Sequence, residues 1–255
     1  MLLAFDTSSA AVTVALATPA GEIVASSTTV DALRHGELLA PAIASALSAA
    51  GVGPRDLTGI AVGVGPGPFT GLRVGLVTAR TMGEVLGIEV SGVCSLDILA
   101  RQSSLTLPVA VATDARRKEI YWALYDGPAA DGSRRRLEGP AVDKPAEVAH
   151  VLSGLPVIGR GAVLYGEVLG LPAVAAGSAG STGSTGSAGS AGPAAIAGSP
   201  GSAGAAEGSV AVVEYPSAEV LAAGVADGTL VVVDPEPLYL RRPDVTMSAG
   251  PKSVL

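Results

Sequence analysis

The stretch Gly65-Pro66-Gly67-Pro68-Phe69-Thr70-Gly71-Leu72-Arg73 joins two different sequence patterns. Before it, Gly59-Ile60-Ala61-Val62-Gly63-Val64 is a short apolar run with the character of a buried strand. After it the pattern is helical as far as Leu86. The chain must therefore pass from strand through a glycine-proline turn into a helix, and Thr70 is the expected N-cap, its hydroxyl accepting from an amide two or three residues on. Small residues then recur at every fourth position, at Gly71, Gly75, Ala79 and Gly83. Positions four apart share one helix face. Glycine in a helix interior costs roughly 1 kcal/mol relative to alanine, so three glycines on one stripe need a reason. Close approach of another element is the simplest one.

Upstream, Leu2 to Asp6 reads as a strand ending in Asp6-Thr7-Ser8-Ser9, followed by strands at Val12 to Leu16 and Glu22 to Ser26. His35, Leu38, Leu39, Ala42, Ile43, Ala46 and Leu47 form one helical stripe. Pro41 is expected to kink this helix, and Gly51 to end it. Downstream come a strand at Ile88 to Val93, a short helix capped by Ser95, and a strand from Leu107 to Thr113. Asp114-Ala115-Arg116-Arg117 then leads into a hairpin partner at Glu119 to Tyr125. Pro145 to Leu152 reads as helix and Val157-Ile158-Gly159 as strand. Ala175 to Gly208 is almost wholly Gly, Ser, Ala and Thr, too poor in bulk to offset the entropy of ordering, and is expected to be a disordered surface insertion. Structure is expected to resume at Val210 to Val213, with a helix from Ser217 to Ala226 and a strand at Leu230 to Val233. Strands followed by mixed βα units indicate an α/β protein with two related lobes. The lobes are expected at residues 1–104 and 105–255, the insertion lying in the second.

With 48% hydrophobic residues but only 3% aromatic ones, the core of this 255-residue chain must be aliphatic and rich in alanine. The net charge of -7 argues against a broad nucleic-acid-binding face, since phosphates need clustered Lys and Arg. Arg116-Arg117-Lys118, Arg134-Arg135-Arg136 and Arg241-Arg242 are local basic spots, read as solvated loops or strand edges. The lone Cys94 excludes an internal disulfide and suits a reducing compartment. Its neighbours mark it as a small buried residue rather than a reactive thiol. The N-terminus has no basic start of the signal-peptide kind, and no run is apolar and long enough to span a membrane.

For chemistry, the glycine-rich turn is the first candidate. A loop that opens a helix can cradle an anion on its amides, but the P-loop pattern needs a closer glycine pair and a lysine. Here Pro66 and Pro68 also remove two donors. A rigid turn is the simpler reading. At Asp6, actin-like ATPases and sugar kinases carry an acid and a glycine-rich phosphate hairpin, but no glycine follows Asp6 here. A structural turn is favoured, and a weak nucleotide contact would involve Asp6, Thr7, Ser8, Gly67 and Thr70. His35 and His150 form no metal-binding pair, and no G-x-S-x-G elbow is present. No metal or other cofactor is expected.

Four motifs nevertheless occur in one order and at one spacing: Leu3-Ala4-Phe5-Asp6-Thr7-Ser8, the Gly65 to Arg73 stretch, Asp114-Ala115-Arg116-Arg117 and Pro237-Leu238-Tyr239-Leu240-Arg241. Together they resemble the TsaB (YeaZ) family, across nearly the whole chain outside Ala175 to Gly208. The resemblance implies an actin-like (ASKHA) fold with two related lobes, mixed sheets flanked by helices. It implies a non-catalytic relative of TsaD, the subunit that transfers the threonylcarbamoyl group to adenosine 37 of tRNA. It implies a cytoplasmic chain that pairs with a TsaD-like subunit and carries a docked TsaE-like ATPase. A homodimer when alone is left open, and tRNA is reached only through the complex. Pairing in that family uses a helical bundle from two N-terminal lobes. The partner face is therefore expected to hold His35, Leu38, Leu39, Ile43 and Leu47 with Gly71, Gly75, Ala79 and Gly83. The alternative for the small-residue ridge is packing against this chain's own sheet. The alternative for the whole chain is a stand-alone actin-like ATPase or a hydrolase, as older glycoprotease labels suggest.

Overall fold

Two mixed sheets carry the architecture of the computed structural model, which describes residues 1–171 and 213–241. The glycine-serine-alanine insertion, the resumption at Val210 and Arg242 lie outside the described residues. The first sheet contains β1 (Leu2–Asp6), β2 (Ala11–Ala17), β3 (Ile23–Val30), β4 (Gly59–Gly63), β5 (Glu89–Val93) and β10 (Val232–Val233), in the order β10-β5-β4-β1-β2-β3. Within it β1, β2 and β3 run antiparallel as a meander, while β4 pairs parallel to β1 and β5 parallel to β4. The second sheet has the order β8-β7-β6-β9, from β6 (Val109–Asp114), β7 (Ile120–Tyr125), β8 (Arg136–Asp143) and β9 (Val157–Ile158). Here β6, β7 and β8 form an antiparallel meander and β9 pairs parallel to β6. The second sheet thus repeats the β3-β2-β1-β4 part of the first in order and in sense.

The helices repeat as well. α1 (His35–Ala49) lies between β3 and β4, as α4 (Pro145–Leu152) lies between β8 and β9; α2 (Phe69–Leu86) follows β4, as α5 (Arg160–Tyr165) follows β9. α3 (Ser95–Gln102) leads from the first sheet to the second, and α6 (Ala218–Ala226) returns to the first.

Side-chain alternation explains the layers. On the central strands of the first sheet, Leu3, Phe5, Val12, Val14, Leu16, Ile60 and Val62 point to one side and meet Leu39, Ile43 and Leu47 of α1 and Leu76 and Ala79 of α2. The opposite side shows Ala4, Ala17, Ala61 and Val93, against Leu221 and Ala222 of α6 and Ile98 of α3. Large residues on one face and small ones on the other are the period-2 pattern of a strand buried on both faces. The alanine-rich composition lets α6 sit close to the sheet. In the second sheet Val109, Val111, Tyr121 and Tyr125 pack with Leu96 and Leu99 of α3, while Trp122 and Ile120 pack with Val148 and Leu152 of α4. α3 therefore lies against both sheets.

Several local expectations are corrected. α2 starts at Phe69 with Pro68 at the N-cap, so Thr70 lies inside the first turn and caps nothing. Ser95 is likewise the first residue of α3, with Cys94 at the N-cap, and its hydroxyl points into the sheet instead. Among the described residues three elements went unread, a 3-10 turn at Pro54–Asp56, β8 and α5: the turn is three residues long, β8 carries Gly139 and Pro140, both poor strand formers, and α5 is too short for a periodic stripe. β3 runs four residues beyond its expected end. As expected, Pro41 lies inside helix α1, on its exposed side. The helix stops as expected at Gly51, where Gly51 N–H donates to Ser48 O and Val52 N–H to Leu47 O, the bond pattern of a glycine C-terminal motif.

Candidate functional site

The chemistry-bearing motifs converge because of the strand directions. β1, β4 and β6 end on the same side of their sheets as the motifs begin, so Asp6-Thr7-Ser8, Gly65 to Pro68 and Asp114 to Arg117 stand at strand C-termini. In open α/β sheets this is the edge that holds ligands. Asp6 ends β1 and Asp114 ends the corresponding β6.

The Asp6 carboxylate is occupied by its own chain. It is buried, 1% exposed. Oδ1 accepts from Ser8 N–H and the Ser8 hydroxyl, both at 2.7 Å, and Oδ2 accepts from the Ser95 hydroxyl. The Ser95 oxygen in turn accepts from Gly65 N–H at 3.1 Å. Burial raises the Asp6 carboxyl above its usual range, and the bonds from Ser95 and Ser8 offset this only in part. The turn after β1 thus locks β1 to the β4 turn and to the start of α3.

The same turn explains the glycines of the α2 region. A Cβ at Gly67 would lie 2.1 Å from Ser8 O; at Gly71, 2.5 Å from Thr7 O; at Gly75, 2.4 Å from Thr7 Oγ1. The Thr7 hydroxyl donates to Gly71 O at 2.8 Å. Farther along, a Cβ at Gly83 would lie 2.4 Å from Val90 Cγ2 of β5. The element that comes close to the ridge is this chain's own first sheet. Gly71, Gly75, Ala79 and Gly83 are all buried, as are His35, Leu39, Ile43 and Leu47, with Leu38 half-buried. His35 reaches the turn from α1, its Nε2 donating to Ser9 O at 2.7 Å. The ridge and the leucine stripe therefore face inward, and the expectation that they form the outer partner surface is corrected. Sequence periodicity showed two helix faces in need of cover, and the sheet covers both.

The residues placed for nucleotide contact separate. Asp6 and Thr7 are buried in the turn, and Gly67 is pressed on Ser8. Ser8 lines a cleft of about 250 Å³ with Pro66, Asp114, Arg116, Arg160 and Glu214. Thr70 faces an adjoining hollow of about 170 Å³ beside His35, which shares Ser9, Pro68 and Arg116 with that cleft. The 250 Å³ cleft is smaller than the roughly 300–1,000 Å³ of ordinary ligand pockets, and Arg160 in its wall is paired with Glu214 at 2.7 Å. Among the described residues no three His, Cys, Asp or Glu side chains gather as a metal-holding group, and no helix is long and apolar enough to cross a membrane.

Sequence reasoning passed over two arrangements. The first joins α3 to the second sheet: Arg136 of β8 reaches Asp97 through Nε to Oδ1 at 2.9 Å and Nη2 to Oδ2 at 2.6 Å, and Tyr125 donates to the same Oδ1 at 2.6 Å. The second is an aromatic contact, Phe69 stacked on Tyr239 at 5.3 Å. Asp97 had no motif around it, and the two rings are 170 positions apart, so no local pattern linked them.

Cys94 lies beside the Asp97 cluster, 4% exposed. Burial, with the Asp97 charge adding to it, pushes its thiol up to about 12. The native chain is expected to give no measurable reaction with a thiol-specific chromogenic reagent at pH 8, and one thiol per chain in denaturant. Rapid labelling of the folded protein would contradict its burial.

The duplicated meander with parallel fourth strand defines the chain as an actin-like (ASKHA) α/β protein. Comparison with known proteins narrows the class. Residues 22–174, more than half of the chain, match the family described as TsaD: tRNA N6-adenosine threonylcarbamoyltransferase. YeaZ from Pseudomonas aeruginosa is similar in structure with a TM-score of 0.66 and 28% identity, over 94% of this chain and 99% of that one. A second Pseudomonas aeruginosa structure, described as similar to the peptidase YeaZ, gives a TM-score of 0.67 at 28% identity over the same shares. Uncharacterized proteins of Mycobacterium bovis and Mycobacterium leprae are both 36% identical over 68% of this chain. The match covers 77% of the first relative and 46% of the second, so the chain aligns with under half the length of the Mycobacterium leprae protein. The chain belongs to the TsaD family and, within it, to the TsaB (YeaZ) group.

Proposed function

We propose that the chain is a non-catalytic scaffolding subunit for threonylcarbamoyladenosine formation at adenosine 37 of tRNA. It pairs with a TsaD-type transferase, and a TsaE-type ATPase docks on the pair. The observation that carries this reading is the filled strand edge. Both oxygens of Asp6, the acid at the C-terminus of β1, are bonded within the chain, and Gly67 is packed on Ser8. An actin-like ATPase needs that acid and the turn beside it free for phosphate and its metal. Family membership supports the role in tRNA modification.

The partner face moves to the outside of the same two helices. On α1 the exposed residues other than Glu37 are short, with Ala40, Pro41, Ala44, Ser45 and Ser48 among them. On α2, Val77 is 56% exposed beside the exposed Arg73 and Arg80. Small outer side chains on α1 permit the close approach that a helical bundle needs, with Val77 as an apolar contact on the neighbouring helix.

Val77→Glu tests this. As a surface change it should alter stability by no more than about 0.5 kcal/mol, while co-elution with the TsaD-type subunit is lost and modification in a mixture with both partners, the threonylcarbamoyl-adenylate synthase, ATP and tRNA falls with it. Undiminished co-elution would move the interface elsewhere. Turnover of ATP or a peptide by the chain alone, abolished by Asp6→Asn, would favour the stand-alone enzyme.

A further inference from the structure

Beyond the partner face, a second surface has a chemistry of its own. Gly67, Phe69, Arg116, Tyr121, Tyr239 and Arg241 line a cleft of about 500 Å³. The stacked rings of Phe69 and Tyr239 form part of its wall, with 27° between their planes, and they are 53% and 44% exposed. The Arg73 guanidinium lies 5.0 Å above the Phe69 ring. Arg116 and Arg117 of the cleft wall, and Lys118 next to them in the chain, take φ of 63°, 51° and 64° in succession, the left-handed region that side chains disfavour. This turn holds three long cationic side chains out in solvent.

The acids nearby are mostly committed. Glu119 pairs with Arg241 at 2.7 Å, Asp114 accepts from the Arg116 backbone N–H, and Glu236 pairs with Arg80. Among the described residues Arg73, Arg116 and Lys118 have no carboxylate partner. On a chain of net charge -7, uncompensated cations gathered at one aromatic cleft are a local exception. Single-stranded nucleic acid is bound by this combination, bases stacking on rings and phosphates lying on flanking cations. A protein partner would have to supply matching carboxylates and cover half-exposed rings at once, whereas an RNA strand brings a phosphate with every base.

We propose that this cleft receives an unpaired stretch of RNA within the complex. A base stacks at the Phe69–Tyr239 wall, and neighbouring phosphates lie on Arg73, Arg116 and Lys118. The inference rests on the proposed role in tRNA modification.

Binding of a fluorescent anticodon stem-loop RNA to the full chain, assembled with its TsaD-type and TsaE-type partners, tests it across a salt titration. Tyr239→Ala should weaken binding roughly tenfold at every salt concentration. Arg116→Gln with Lys118→Gln should weaken it and flatten the slope of log affinity against log salt by about 0.7 for each phosphate no longer neutralised. A duplex without unpaired bases should bind the parent and Tyr239→Ala equally. Variants that bind as the parent does would overturn the inference. So would full displacement of the RNA by free AMP, which would make the cleft a mononucleotide site. Loss of co-elution with RNA affinity unchanged would make it a protein contact. Co-elution followed on every sample separates the two readings. A complex that forms but ignores the variants defeats only the RNA cleft. A chain that joins no complex, yet crosslinks the same RNA in a Tyr239-dependent way, defeats only the scaffolding role.

Discussion

Gly63→Ala is expected to leave little folded protein. A Cβ there would stand 1.8 Å from Asp6 Oδ2, 2.6 Å from its carboxyl carbon and 2.9 Å from Ser95 Oγ. None of these atoms sits at the end of a long flexible chain, and Asp6, Gly63 and Ser95 are all buried. Overpacking alone costs about 1–3 kcal/mol. Here the methyl must also push the carboxylate off the Ser95 hydroxyl, and an unsatisfied buried group adds about 1–3 kcal/mol, more if charged. A loss above about 4 kcal/mol is a large part of the roughly 5–15 kcal/mol that holds a domain folded. The cause is testable by a double-mutant cycle. Asp6→Ala removes the atoms that clash, so Gly63→Ala should cost at least about 2 kcal/mol less in that background. Additive losses, measured by denaturant unfolding, would place the strain elsewhere. The pH dependence has a definite sign. Because the folded chain holds the Asp6 proton more tightly than the unfolded chain, whose carboxyl sits near 3.8, the Asp6 contribution falls as pH rises from there through the higher folded value. Asp6→Asn should remove that part of the slope.

Asp97→Ala is expected to lower stability by about 3 kcal/mol, since removing one member of a buried pair leaves the other charge uncompensated. The Asp97 side chain is 11% exposed and that of Arg136 is 30% exposed, so solvent relieves only part of this. Tyr125, 1% exposed, loses its acceptor as well. For a chain of this size the midpoint of thermal unfolding should drop by about 10 °C. Replacing both partners, Asp97→Leu with Arg136→Leu, should cost less than the single change, because no lone charge remains. A single change worth under about 1 kcal/mol would show that water already screens the pair. The pair ties α3 to β7 and β8, so its removal should loosen the second sheet before the first, which hydrogen exchange reads segment by segment.

Both effects depend on contacts between distant parts of the chain, and this marks where the sequence stops being readable. The strand at Gly59, the helix after Pro68, the α1 stripe from His35 and the Ser217 start of α6 were legible because their signals are local: hydrophobic period, turn residues and caps. Four motifs in fixed order were enough to expect the family. The short α5 and the Gly-Pro-containing β8 were not legible, because neither carries a periodic pattern strong enough to stand alone.

By itself the sequence determined that Gly71, Gly75, Ala79 and Gly83 form one stripe free of bulk, that something must press against it, and that Asp6 ends a strand in a hydroxyl-rich turn. Only the tertiary structure decided what does the pressing. Periodicity defines a face but not its occupant, since the occupant is chosen by strand order. Placing β1 beside β4 brings Thr7 and Ser8 onto the glycines and leaves no room on that ridge for another molecule. The same placement gives the Asp6 carboxylate to Ser95, 89 residues away. Burial then makes those bonds costly to lose, which no count of residues along the chain could show.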